Sequence, residues 1–259
     1  MLHNQISETE ILEGIIEWAE IESPTYERDR VDGMIGHVRR QLEALGAATE
    51  NIKISDDYGE ALKARFGGQG EDAAEGGILI LGHLDTVHLL GTKEKELPIR
   101  VEGDKLYGPG VFDMKGGLYL AYYAMKKLLE SGNAPRLPVT FLCIPEEEAG
   151  SPASRELIEA EAKKHSYVLV PEPARQGRAI TGRHAFVRYK LTTRGRPAHA
   201  GADNLAGRSA IRAMAQLVEI VESATDMSRL VSFSVGVING GRIVNVVPIE
   251  CHAEVLAVA

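Results

Sequence analysis

The sequence predicts an α/β fold, a mostly parallel sheet with helices on both faces, followed by a smaller, partial α+β unit. Three observations carry this. Over the first 175 or so residues, short apolar runs alternate with segments of helical spacing. Two of those runs, ILILGHLDTV (78–87) and VTFLCI (139–144), are apolar almost throughout, as in strands buried on both faces. From about Arg178 the runs lengthen and alternate only in part, which suits an antiparallel sheet. The boundary is placed near residue 180, giving domains 1–180 and 181–259.

Element by element, Ile11, Leu12, Ile15, Ile16 and Ala19 recur at helical spacing and predict a helix over 8–21. A second helix is expected over 31–45, stopped by Gly46. Residues 61–66 read as a strand, and the Gly-rich 67–77 as a loop or hairpin connection. Strands are expected at 78–87, 139–144 and 167–170, and helices at 118–129 and 154–164. In the second domain the reading is a strand in 178–195, a helix over 205–221, and strands in 230–240 and 242–259.

The chain has 259 residues, 44% hydrophobic and 25% charged, with 29 basic against 37 acidic side chains. It is long enough to bury a sizeable core. A net charge of −8 argues against general nucleic-acid binding, which needs clustered Lys and Arg. The two cysteines, Cys143 and Cys251, make no CxxC and suggest no disulfide framework. The N-terminus has no basic segment followed by an apolar core, and no run is long enough for a membrane span. A reducing, cytoplasmic setting is the expectation, with no membrane partner.

Chemistry collects where the apolar strands turn polar. The first such point holds His83 and Asp85 (GHLDTVH), the second three adjacent glutamates (IPEEEAGS), the third Glu172 (VLVPEPA). Asp113 stands between them in the loop GPGVFDMKGG. Residues two apart on a strand face the same side, so the Asp85 carboxylate is placed to hold the second N–H of the His83 imidazole. Each acidic residue alone has a plain reading: an Asp in a Gly-rich loop is turn chemistry, and a Glu after a strand is a cap or a solvated charge. The loop also invites a phosphate cradle, but it has neither GK[ST] nor GxGxxG spacing. Taken together, clustered carboxylates beside a histidine need cations, and a pair of divalent metals meets that need.

These motifs, GHLDTV, GPGVFDMKGG, EEEAGS and PEP in that order, continued by RPAHAG (196–201) and NVVP (245–248), resemble those of the di-zinc aminoacylase and carboxypeptidase family. EEEAGSPASRELI followed by VPEP is most similar to its glutamate-carboxypeptidase branch; acetylornithine deacetylase and succinyl-diaminopimelate desuccinylase are relatives. The resemblance implies hydrolysis of a C-terminal peptide bond or an N-acyl amino acid amide. It implies zinc ligands at His83, Asp113, Glu148 and Glu172, with Asp113 bridging and its peptide to Met114 cis. Asp85 would orient His83, and Glu147 would be the general base. Glu146 stands where the family more often has Asp. A second domain acting as lid and homodimer interface is also implied, with His199 stabilising an oxyanion across the dimer and Asn245 touching substrate. His199 otherwise reads as a surface-loop residue and Asn245 as a strand end. Arg183, with Arg194 and Arg196, is a candidate for a substrate carboxylate or a solvated arginine. His88, His184 and His252 match no family role and read as structural or surface residues.

One departure stands out. In the family the chain returns from the lid to complete the catalytic domain and supplies the last zinc-ligand histidine, whereas this sequence stops at Ala259. The resemblance therefore also leads us to expect both domains incomplete, a weaker second zinc site and impaired activity. The alternative is a fragment acting only as a zinc- or peptide-binding or dimerising module.

Overall fold

Helix-spaced apolar residues at the N-terminus form α1 (Glu8–Glu20), opened by Ser7, whose Oγ accepts from the main-chain N of Glu10 at 3.3 Å. The computed structural model describes residues 6–67, 76–174 and 176–259, so most of the Gly-rich connection at 67–77 lies outside the described residues. The chain divides into two compact units, 1–175 and 176–259.

In the first unit α2 (Arg28–Ala44) ends against Gly46, at φ +92, where the main-chain N atoms of Gly46 and Ala47 donate to the carbonyls of Glu43 and Leu42. Then follow β1 (Ala48–Ile52), β2 (Ala61–Phe66), β3 (Ile78–His83), α3 (Thr92–Lys95), the hairpin of β4 (Arg100–Glu102) with β5 (Lys105–Tyr107), α4 (Gly116–Glu130), β6 (Val139–Ile144), α5 (Arg155–Ala162) and β7 (Tyr167–Leu169). The sheet order is β1-β2-β6-β3-β7. β3 runs parallel to both its neighbours, and only β2 is reversed, so four of the five strands share a direction.

Alternation along the central strands sorts the core into two layers. Ile80, Val139, Phe141 and Cys143 pack with Trp18, Met34, Leu42, Leu118 and Tyr122 from α1, α2 and α4. Leu79, Leu142 and Ile144 turn the other way, onto Leu157, Ile158 and Ala162 of α5. Helices therefore cover both faces, and all six residues of β6 are buried.

The second unit comprises β8 (Phe186–Arg194), α6 (Ala210–Ser223), β9 (Ser232–Gly240) and β10 (Glu250–Val258). Its antiparallel sheet runs β8-β10-β9, and Met214 and Val218 of α6 pack on Leu191, Val235, Cys251 and Ala253.

Several expected boundaries move. The strand expected over 78–87 ends at His83, because Thr86 exchanges main-chain hydrogen bonds with Ser23 and Thr25 instead of β6. The helix expected from 205 starts at 210, where Ser209 Oγ accepts from the main-chain N of Arg212 at 3.1 Å. The strand expected over 242–259 begins only at Glu250: Pro248 has no N–H to donate, and 245–247 bond to 198–200 instead. Among the described residues, no helix is long and apolar enough to cross a membrane.

Trp18 lies at the centre of the larger core layer. It is fully buried, 5.2 Å from Tyr119 between ring centroids in an edge-on contact, and its Nε1 donates to Gln41 Oε1 at 2.8 Å. Trp18→Ala is expected to lower the unfolding free energy by about 3–5 kcal/mol in urea titrations. Leu205→Ser, at a side chain 98% exposed, is expected to change it by less than about 0.5 kcal/mol.

Candidate metal centre

Three adjacent parallel strands deliver the polar residues to one edge of the sheet. In such sheets ligands gather beyond the carboxyl ends of strands. β3 closes on His83, whose register partner is Ile144, the last residue of β6, so the imidazole and the glutamates after β6 start from one level. Glu172 follows β7, and Asp113 comes from the turn before α4.

His83 is 1% exposed. Its Nδ1 lies 3.0 Å from the main-chain oxygen of Asp85 and 3.3 Å from Asp85 Oδ1. Two oxygens there make Nδ1 a donor and turn Nε2 toward the acids, where it donates when the ring is charged and can ligate a metal when the ring is neutral. Nε2 is 3.0 Å from Asp113 Oδ1, 3.6 Å from Glu172 Oε1 and 4.0 Å from Glu147 Oε2. One ligand atom each from His83, Asp113 and Glu148 falls within 4.8 Å of the others.

Asp85, fully buried, is held by more than the imidazole. Its carboxylate accepts from Thr25 Oγ1 at 2.8 Å and from the main-chain N atoms of Glu147 and Glu148, both at 3.2 Å. The three glutamates accordingly do different things. Glu146, fully buried, turns away and accepts from the main-chain N atoms of Ala153 and Ser154 at 3.2 and 2.7 Å, tying down the segment that opens α5. Glu147 and Glu148 begin a single 3₁₀ turn whose N–H groups point at Asp85.

The peptide between Asp113 and Met114 is cis. Gly117, in the first turn of α4, packs so closely that a Cβ there would stand 1.8 Å from the main-chain oxygen of Pro171, the residue before Glu172. The entry of α4 and the exit of β7 are thus in contact.

The charges at the site are unbalanced. Burial pulls the His83 imidazole down, but the bond to Asp85 and the charges of Asp85, Glu147 and Glu172 outweigh it and hold the imidazole up at about 9. Burial raises the Glu148 carboxyl, and Asp113 raises it further. Without another cation this cluster retains a proton. Nitrogen and carboxylate oxygen donors in this arrangement suit a divalent ion such as zinc.

Beside Asp113 and Glu148 opens a cavity of about 420 Å³, lined by Val87, Leu97, Leu106 and Phe112, with His88 at its wall. His88, read from the sequence as structural or surface, is therefore next to the site. Thr25 was not expected here; its partner Asp85 is 60 positions away, and no local pattern marks it.

On the second unit, His199 and Asn245 lie together. His199 bridges to Val246, and Ala200 donates its main-chain N to the Asn245 carbonyl at 2.9 Å. His199 Nδ1 accepts from the main-chain N atoms of Gly201 and Ala202 at 3.2 and 3.1 Å, which leaves Nε2 to carry the proton as an exposed donor. Arg183 is not brought to them. It precedes β8, while His199 follows it, and nine strand residues separate the two ends by about 30 Å.

The sequence model of peptidase family M20/M25/M40 matches residues 79–241. Carboxypeptidase G2 of Pseudomonas sp. (strain RS-16) is 31% identical over 235 residues, covering 88% of this chain and 54% of that protein. Acetylornithine deacetylase of Myxococcus xanthus is 26% identical over 234 residues, covering 85% of this chain and 59% of that one. The chain thus spans a little over half the length of these curated relatives. A tripeptidase structure from Staphylococcus aureus superposes with a TM-score of 0.82 at 19% identity, covering 98% of this chain and 67% of that one. A Bacillus subtilis structure described as a dinuclear metal-binding peptidase shares the fold, with a TM-score of 0.61 at 16% identity, covering 98% of this chain and 66% of that one. With the family match running from β3 to the end of β9, and the strand-end residues gathered as described, the chain belongs to peptidase family M20/M25/M40.

Proposed function

We propose that the chain carries the amide-hydrolysing centre of a zinc-dependent carboxypeptidase or deacylase, acting on a short peptide or an N-acyl amino acid. The observation that supports it most is the convergence of Asp113, Glu147 and Glu172 on the Nε2 of a buried histidine. In this reading His83, Asp113, Glu148 and Glu172 would be the residues that hold divalent metal. Bound there, the metal supplies Lewis acidity and makes water acidic enough to lose a proton near neutral pH.

The remaining steps belong to side chains. Asp85 keeps His83 in the tautomer that presents Nε2. Glu147 takes the proton of the attacking water and hands it to the leaving amine nitrogen. His199, with Nε2 as donor, suits the developing oxyanion, and Asn245 a substrate polar group. A homodimer formed through the second unit is part of the reading; exposed Phe186 and Leu256, on the sheet face away from α6, supply apolar surface for it. The cavity beside Asp113 and Glu148 fits an apolar side chain or aromatic acyl group next to the scissile amide.

Three outcomes test this. Glu147→Gln is expected to lower kcat on N-acyl amino acids by roughly 100-fold or more, the scale of general-base catalysis, while zinc uptake by the purified chain stays within about threefold. Full turnover in that variant, or loss of zinc with it, refutes the assignment. Leu106→Asp is expected to raise KM for aromatic acyl substrates roughly tenfold or more, with little change for acetyl substrates. The third outcome concerns pH. A histidine raised from 6.5 to about 9 stabilises the metal-free fold fully below pH 6.5, and that contribution disappears as pH rises through about 9. Thermal melts of metal-free protein are expected to show this loss, and His83→Gln to abolish it.

A further inference from the structure

Asp113 projects from a loop whose next two residues are buried. Its side chain is 55% exposed, whereas Met114 is 1% and Lys115 0% exposed. The loop enters through Gly110 at φ +69, leaves helical geometry at Asp113 and Met114, and passes into α4 at Gly116. Two anchors hold it. Met114 Sδ accepts from the main-chain N of His83 at 3.2 Å, which ties the loop to the last residue of β3. Lys115 reaches in another direction: its Nζ donates to the main-chain oxygens of Ile21 at 2.6 Å and Trp18 at 3.3 Å, at the carboxyl end of α1.

That end calls for hydrogen-bond donors. The last carbonyls of a helix lack partners within it and form the negative pole of its dipole. The last turn of α1 contains no basic residue, and Lys115, 94 positions beyond Ile21, supplies one. Gly110 makes room for the stem, since a Cβ there would lie 3.1 Å from Lys115 Cδ and 3.3 Å from its Cε. If capping α1 were the whole purpose, an exposed lysine in that helix would serve without the cost of burial, which pulls the Lys115 amine down to about 7. Burial two residues from Asp113 joins the helix end to the loop.

We propose that Lys115 is a positioning residue of the metal centre: its side-chain nitrogen, through its hydrogen bonds to Trp18 and Ile21, locks residues 110–116 to the end of α1 and so fixes where the Asp113 carboxylate stands relative to His83. The link to metal rests on the reading of Asp113 as a ligand; the lock on the loop does not.

Lys115→Met keeps the length and bulk and removes the donors. In the full metal-free chain, hydrogen exchange at 110–117 is expected to quicken at least tenfold while β3 and β6 stay within twofold. Zinc affinity, measured by competition with a chromophoric chelator, is expected to fall at least tenfold, and the visible spectrum of the cobalt complex to change. Leu42→Ala, in the core layer of α1, α2 and α4, is the control: stability falls, but zinc affinity and the cobalt spectrum do not move. Should Lys115→Met fail to fold, Lys115→Gln, which keeps a donor, is expected to show the same changes at smaller size. Unchanged exchange at 110–117 overturns the proposal, as does faster exchange confined to the last turn of α1. Wild-type protein that takes up no zinc overturns the metal reading, and the exchange measurement still decides whether Lys115 fixes the loop.

Discussion

The candidate centre depends on one buried carboxylate. Asp85 receives the Nδ1 side of His83, the hydroxyl of Thr25 and the main-chain N–H groups of Glu147 and Glu148. A charge taken wholly out of water is tolerable only when its oxygens are satisfied in this way. The consequence is geometric. The same group aims the imidazole and fixes the backbone on which both glutamates stand, so the distances between them are set by hydrogen bonds to a common point. Their long side chains then have only their own rotamers left to settle.

The sheet provides the platform. Parallel strands with flush ends place His83 level with the segment that leaves β6, and the layers above and below hold that edge still. Repulsion among the acids is the cost of gathering them. In the metal-free site part of it is relieved by the proton held on His83, and a divalent ion bound there would take that proton's place. The second unit is organised separately, as an antiparallel sheet with one helix, and it presents His199 and Asn245 on paired loop segments.

Much of the first unit was legible because its central strands β3 and β6 are buried on both faces and its helices have clean periodicity; β3, β6, α1 and α4 needed little more than counting apolar residues. The elements that escaped lack that signal. β1 is a sheet edge with no fully buried residue, and β4 with β5 is a three-residue hairpin, so neither carries an apolar pattern. The error at 242–249 has a different origin: the segment is as apolar as a strand, but its partners are 198–200, and only tertiary structure assigns them. At the site, the residue types at the strand ends were readable one by one. Neither Thr25 nor Lys115 was, since each acts on a group more than 50 positions away. The division of labour within EEE was equally hidden, because Glu146 differs from its neighbours only in which way it points.

The close approach of Gly117 to the Pro171 carbonyl joins two pieces of chain that carry acids at the same centre. With no side chain between them, the start of one helix rests directly on the backbone leading to Glu172, and a shift of either is passed to the other without slack. Any side chain at that contact would push the two apart, and a displacement of one acidic arm would carry the other with it.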